Sequence, residues 1–93
     1  MKYENIPLIF NEDDQRFEFS SEGQLSFIDF KKINDKIYLI HTEVPQELEG
    51  KGIAAAMVEK TLKHIEEHQW KLIPSCSYVQ AFVKRHPEWN RLL

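Results

Sequence analysis

The chain of 93 residues has little of what stapled, secreted or membrane-spanning proteins of its size depend on. It carries one cysteine, Cys76, so no internal disulfide can form. Small extracellular domains normally need several, and a reducing, cytoplasmic setting is therefore expected. Three glycines and four prolines exclude collagen-like and low-complexity sequence. No apolar run approaches the ~20 residues of a spanning helix, and the opening residues contain no signal-like apolar stretch, so no membrane is expected as a partner. Positive charge is not in surplus either. Twelve Lys plus Arg against fifteen Asp plus Glu leave a formal charge of −3, which argues against a broad surface for a nucleic-acid backbone. The sequence leaves the oligomeric state open.

What is present is 42% hydrophobic and 29% charged, the balance of one folded domain over residues 1–93 with a modest core. The first half reads as strands. Ile6 to Phe10 is a short apolar run, and Gln15 to Ser20 alternates around Phe17 and Phe19. The acidic stretch Glu12 to Asp14 joins them as a solvated loop, with recognition of a basic acceptor as a lesser reading. A turn at Ser21 to Gly23 leads into Gln24 to Ile33. Asn34 and Asp35 then connect to Lys36 to Val44, ended by Pro45. Strict alternation along this last strand sends Ile37, Leu39, His41 and Glu43 one way, and Tyr38, Ile40, Thr42 and Val44 the other.

The second half reads as helical. From Gly50 to about His68, Ala54, Met57, Val58, Leu62 and Ile65 form one apolar stripe. Trp70 to Pro74 fits a final strand. Ser75 to Ser77 offers caps for a second helix with Val79, Phe82 and Val83 inward, ended at His86 and Pro87. Trp89, Leu92 and Leu93 make the tail apolar enough to dock on the core. The expected fold class is α+β: a mostly antiparallel twisted sheet of about five strands, one long helix and a second C-terminal helix.

Glu49-Gly50-Lys51-Gly52-Ile53-Ala54 lies between a strand and the best helix. Main-chain N–H groups there, unobstructed at two glycines, could converge on an anion such as a pyrophosphate, with Lys51 and the helix dipole adding charge. Two glycines making a tight turn is the plainer alternative.

Four antiparallel strands, Val44-Pro45, this loop, a short strand and a second helix together resemble the GNAT N-acetyltransferase superfamily over nearly the whole chain. In its Q/R-x-x-G-x-G/A signature, Gly52 and Ala54 take the small positions, and Glu49 stands where Gln or Arg is usual. His41 to Val44, Pro74 to Cys76 and Val83 to Trp89 look more closely like the small single-domain NATD1-like group. The resemblance implies acetyl-CoA (coenzyme A) as cofactor and an amine acceptor, either a small molecule or a protein lysine. It implies that Val44 pairs with the pantetheine arm, that the Gly50 to Ala55 amides, Glu49 to Ala55 forming the loop, bind the pyrophosphate, and that Lys84 and Arg85 serve the adenosine phosphate end. A splayed strand pair would offer main-chain groups to the pantetheine amides. A module that binds CoA, or a protein, without catalysing anything is the rival reading.

Acetyl transfer to an amine needs a proton acceptor and donors for developing charge. Cys76, at a helix N-terminus that favours thiolate, is the principal candidate for direct acylation or for proton return to the leaving thiol, against the alternative of a buried inert thiol. His41 could deprotonate the amine or pair with Cys76, and Glu43 could act through water; both also suit structural roles. His64-Ile-Glu-Glu-His68 matches H-x-x-E-H, but no third ligand is placed for it, so no metal is expected.

Overall fold

The computed structural model describes residues 3–93. Five strands form one sheet in the order β1 (Ile9–Asn11), β2 (Arg16–Ser21), β3 (Gln24–Ile33), β4 (Lys36–Glu43) and β5 (Lys71–Pro74). The first four are an antiparallel meander, and β5 lies parallel to β4. A parallel pair needs a crossover, which α1 (Ile53–Glu67) supplies. After β5 come α2 (Ser77–Arg85) and a 3-10 segment, Pro87–Leu92. Trp89 and Leu92 of that segment are buried, so the tail docks as its composition predicts. The first strand begins three residues later than the apolar run suggested, and β4 stops one residue before Val44.

Turn chemistry sets the register. Between β2 and β3, Glu22 and Gly23 both take positive φ, 53° and 74°, the primed turn that matches strand twist. All buried strand side chains, from Phe17, Phe19, Ser26, Ile28, Phe30, Ile37 and Leu39 to Leu72, share one face, and both helices cover it. Ile53, Met57, Val58, Leu62 and Ile65 of α1 meet Val79, Phe82 and Val83 of α2 in the same core.

One core residue works against stability. Ser26 is fully buried and its Oγ has no hydrogen-bond partner, leaving a desolvation cost uncompensated. Ser26→Ala is expected to raise stability by about 1 kcal/mol, read as a higher urea midpoint at constant m-value; a lower midpoint would contradict this.

The expected alternation of β4 fails in its middle. Asp29 faces His41 while Phe30 faces Leu39, so Ile40 is an extra residue, a β-bulge. Ile37 and Leu39 point into the core, but beyond the bulge the frame is reset. Thr42 sits opposite core-facing Ile28, and His41 and Glu43 lie opposite Asp29 and Phe27 on the uncovered face. His41 and Glu43 therefore do not share a face with Ile37 and Leu39; the inserted residue reverses the parity that strict counting assumes.

Candidate functional site: a strand fork beside a helix N-terminus

The parallel pairing of β4 with β5 ends at Leu39 and Pro74. The amides of Ser75 and Cys76 both donate to the Leu39 carbonyl, at 3.0 and 2.8 Å, and the chain then leaves as α2. From Ile40 to Glu43, β4 pairs only with β3. The two strands thus form a fork with one open edge.

A cleft of about 250 Å³ lies near this fork, lined by Val44, Leu48, Glu49, Gly50, Gly52 to Ala55 and Tyr78. Gly50 and Gly52 hold φ of 79° and 81°, a left-handed conformation that a side chain resists. Gly52 is the N-cap of α1 and offers no capping group. The Ala56 amide already bonds to Gly52 O at 3.1 Å, whereas the amides of Ile53, Ala54 and Ala55 precede the first intrahelical bond. All three residues line the cleft. An uncapped helix start facing a cavity has the chemistry of an anion cradle. Lys51 Nζ pairs with Glu22 at 3.3 Å and its carbonyl accepts the Tyr3 hydroxyl at 2.8 Å; the residue lines the adjoining cavity rather than this cleft. Glu49 places a carboxylate in the lining.

Cys76 is the N-cap of α2 and is 8% exposed. Burial raises its thiol pKa, but the Thr42 hydroxyl at 3.4 Å and the backbone of Val79, Tyr78 and Thr42 lower it further, so the net direction is downward. A reactive thiol is favoured by this combination. No conventional capping hydrogen bond from the sulfur is formed.

Tyr78 was not among the candidates read from the sequence. It stands in the first turn of α2, lines the cleft, and has its pKa raised by burial, partly offset by Arg85. Its phenol therefore stays protonated and able to donate. The seven-residue spacing to Arg85 is two helical turns, a relation visible in the sequence once α2 is drawn, although the side facing the cleft is not. Lys84 and Arg85 are exposed at the far end of α2 and neither is among the residues lining the two described cavities.

His41 and Glu43 are joined at 3.1 Å between Nε2 and Oε1. The hydrogen-bond partner of Cys76 is Thr42 rather than His41. A second cavity of about 310 Å³ flanks the other side of the α1 start, sharing Gly52 and Ala55 and adding Tyr3, Phe82, His86 and Trp89.

The H-x-x-E-H stretch is an aromatic stack. His64 lies 4.2 Å from His68 and within 5.0 to 5.6 Å of Phe10, Phe17 and Trp70, centroid to centroid. Among the described residues no three ligands gather for a metal. Burial, and secondly His68, lowers the His64 pKa, with Glu67 opposing. Below the ordinary value of about 6.5 the unfolded chain binds the proton more readily, so stability is full above that value and falls as pH drops toward the lowered folded pKa. Melting temperature should therefore decline as pH falls below that ordinary value, and His64→Phe should flatten the decline; an unchanged slope would rule out His64 as its source.

The layered sheet, fork and helix-capping loop agree with the comparisons. A family model for GCN5-related N-acetyltransferases matches residues 16–92, and the chain belongs to that family, whose members generally use acetyl-CoA and an amine acceptor. Protein NATD1 of Bos taurus and of Homo sapiens are each 39% identical over 49 residues, 53% of this chain and 43% of theirs; the match thus spans less than half the length of these relatives. The solution structure of a GCN5-like protein from Staphylococcus aureus superposes with a TM-score of 0.72 over 96% of this chain and 88% of that one, at 22% identity, and so shares the fold. No helix among the described residues is long and apolar enough to cross a membrane.

Proposed function

We infer that this chain binds acetyl-CoA in the fork and passes the acetyl group to a primary amine. The observation that carries the reading is the uncapped start of α1, with Gly50 and Gly52 in left-handed conformation, opening onto the same cleft as Val44 and Tyr78. The amides of Ile53 to Ala55 would bind the pyrophosphate, and the open edge of β4 with Val44 would take the pantetheine amides as an added strand takes them. The cavity edged by Phe82, His86 and Trp89 offers rings for the nucleotide end and has Lys51 in its lining, with Lys84 and Arg85, outside that lining, left to reach it from the end of α2.

The cofactor supplies an acyl group activated as a thioester. Cys76 would either receive that acyl group as a thiolate, releasing CoA as its thiolate, or as a neutral thiol give its proton to the departing CoA thiolate. Tyr78 donates from the cleft wall. The His41 and Glu43 pair serves as proton acceptor only for an amine that arrives through the fork from the uncovered face. A cytoplasmic setting suits the free thiol.

The Glu49 carboxylate in the cleft lining favours a second reading, a CoA-binding or protein-interaction module without turnover. Native and denaturing intact-mass spectra after incubation with acetyl-CoA test the cofactor site, and thiol release with polyamines and lysine peptides tests turnover. A native adduct of CoA size with acceptor-dependent release supports the enzyme. An adduct without release supports the module, and no adduct at saturation removes acetyl-CoA from the account.

A further inference from the structure

Both helices lie on one face of the sheet, and no described residue covers the other. Register places its side chains in rows across the strands. Ile9, Glu18, Phe27 and Glu43 form one row, and Asn11, Arg16, Asp29 and His41 the next. Past the bulge come Lys31, Tyr38 and Ile73, then Ile33, Lys36 and Lys71. Ile9, Leu25, Ile33 and Ile40 are 41 to 50% exposed here. A solvated antiparallel face normally turns polar, and here these large apolar side chains stand exposed among the charged rows.

The charges are segregated along the strands. Glu18 and Glu43 stand at one end, while Lys31, Lys36 and Lys71 stand at the other, with Asp29 held by Arg16 at 3.5 Å in between. Phe27 and Ile33 mark the two ends on β3, about 20 Å apart at ~3.4 Å per residue.

We propose that this uncovered face is a homodimer interface in which a second copy lies with its strands running in the opposite direction. The two-fold axis lies in the contact plane, perpendicular to the strands, and passes close to Ile40. Residues equidistant from it along each strand then meet: Glu43 faces Lys36 of the other copy, Phe27 faces Ile33, and Asp29 faces Lys31. Each contact occurs twice, as an isologous interface requires. An axis parallel to the strands and running along β4 would instead set Glu43 against Glu43, so charge disfavours it relative to the first arrangement. An unrelated partner would need the inverse charge order over the same length, whereas a reversed second copy supplies it by symmetry. Such a dimer leaves the cofactor cleft on the helix side open, but it replaces the proton-acceptor role of His41 and Glu43, because the contact covers the face from which that amine would arrive. It also gives the His41 and Glu43 pair a place in the contact and directs an acceptor to the cleft side.

Sedimentation equilibrium of the full chain is the test. A dimer mass that dissociates with dilution and with added salt is expected. Glu43→Lys alone and Lys36→Glu alone should each sediment as monomers, and an equimolar mixture of the two should recover the dimer, since both cross-contacts become attractive again. Ile33→Lys, at an exposed position remote from the fork, should be monomeric with unchanged circular dichroism and unchanged CoA affinity, which shows that the fold survives. A wild-type monomer up to several hundred micromolar, charge variants that associate like wild type, or a mixture that stays monomeric would each overturn the proposal.

Discussion

In a calorimetric titration with CoA, Gly52→Asp is expected to bind about 100-fold more weakly than the wild-type chain. The aspartate would sit at the N-cap of α1, where its oxygens can accept hydrogen bonds from the first-turn amides and so occupy the anion seat from within. Its charge would also oppose the pyrophosphate: two like charges ~5 Å apart at an effective dielectric near 20 repel by roughly 3 kcal/mol, a loss of about two decades. Gly52→Ala separates strain from charge, because it meets the same positive φ without a carboxylate, and it should cost far less affinity than aspartate. Glu49→Gln, which removes a carboxylate from the same cleft, should tighten binding. Equal affinities for Gly52→Asp and wild type would reduce the glycine loop to a turn.

The second large effect concerns Cys76. With acetyl-CoA, an acetyl increment that survives denaturation and maps to this residue is the expected result for a covalent route, and Cys76→Ala and Cys76→Ser should abolish it. Turnover would then fall by ~10²-fold or more. Thr42→Val removes the hydroxyl that helps lower the thiol pKa, so its thiol should alkylate more slowly at neutral pH while CoA affinity stays unchanged. If both cysteine variants retain full acceptor-dependent turnover, Cys76 is a packing residue and the transfer occurs directly to the amine.

Much of this architecture was legible because local signals agreed with each other. β3 is bounded by two short turns whose residues, Glu22, Gly23 and Asn34, all adopt positive φ, and its predicted limits match the structure. The stripe of Met57, Val58, Leu62 and Ile65 marked α1, although the helix begins at Ile53 rather than Gly50 and Ala54 lines the cleft. The second helix, α2, begins within the expected Ser75 to Ser77 stretch, with Cys76 at its N-cap position but no side-chain capping bond. Periodicity could not reveal the bulge at Ile40, because counting by two contains no term for an inserted residue, and the sides assigned to His41 and Thr42 were reversed in consequence. The pairing of Lys51 was hidden for a similar reason: Glu22 is 29 residues away in a hairpin turn. Tyr78 is not legible as a site residue because nothing in the pattern of α2 tells which of its outward residues faces the cleft.

The bulge has an evolutionary consequence. A single-codon deletion of Ile40 would restore simple alternation without exchanging the faces, because His41 would still lie opposite Asp29 and Thr42 opposite core-facing Ile28. Length variation should therefore be tolerated in the hairpin tips, where the added backbone meets water, and loss of Ile40 should change the local bend and twist of β4 rather than which side chains enter the core.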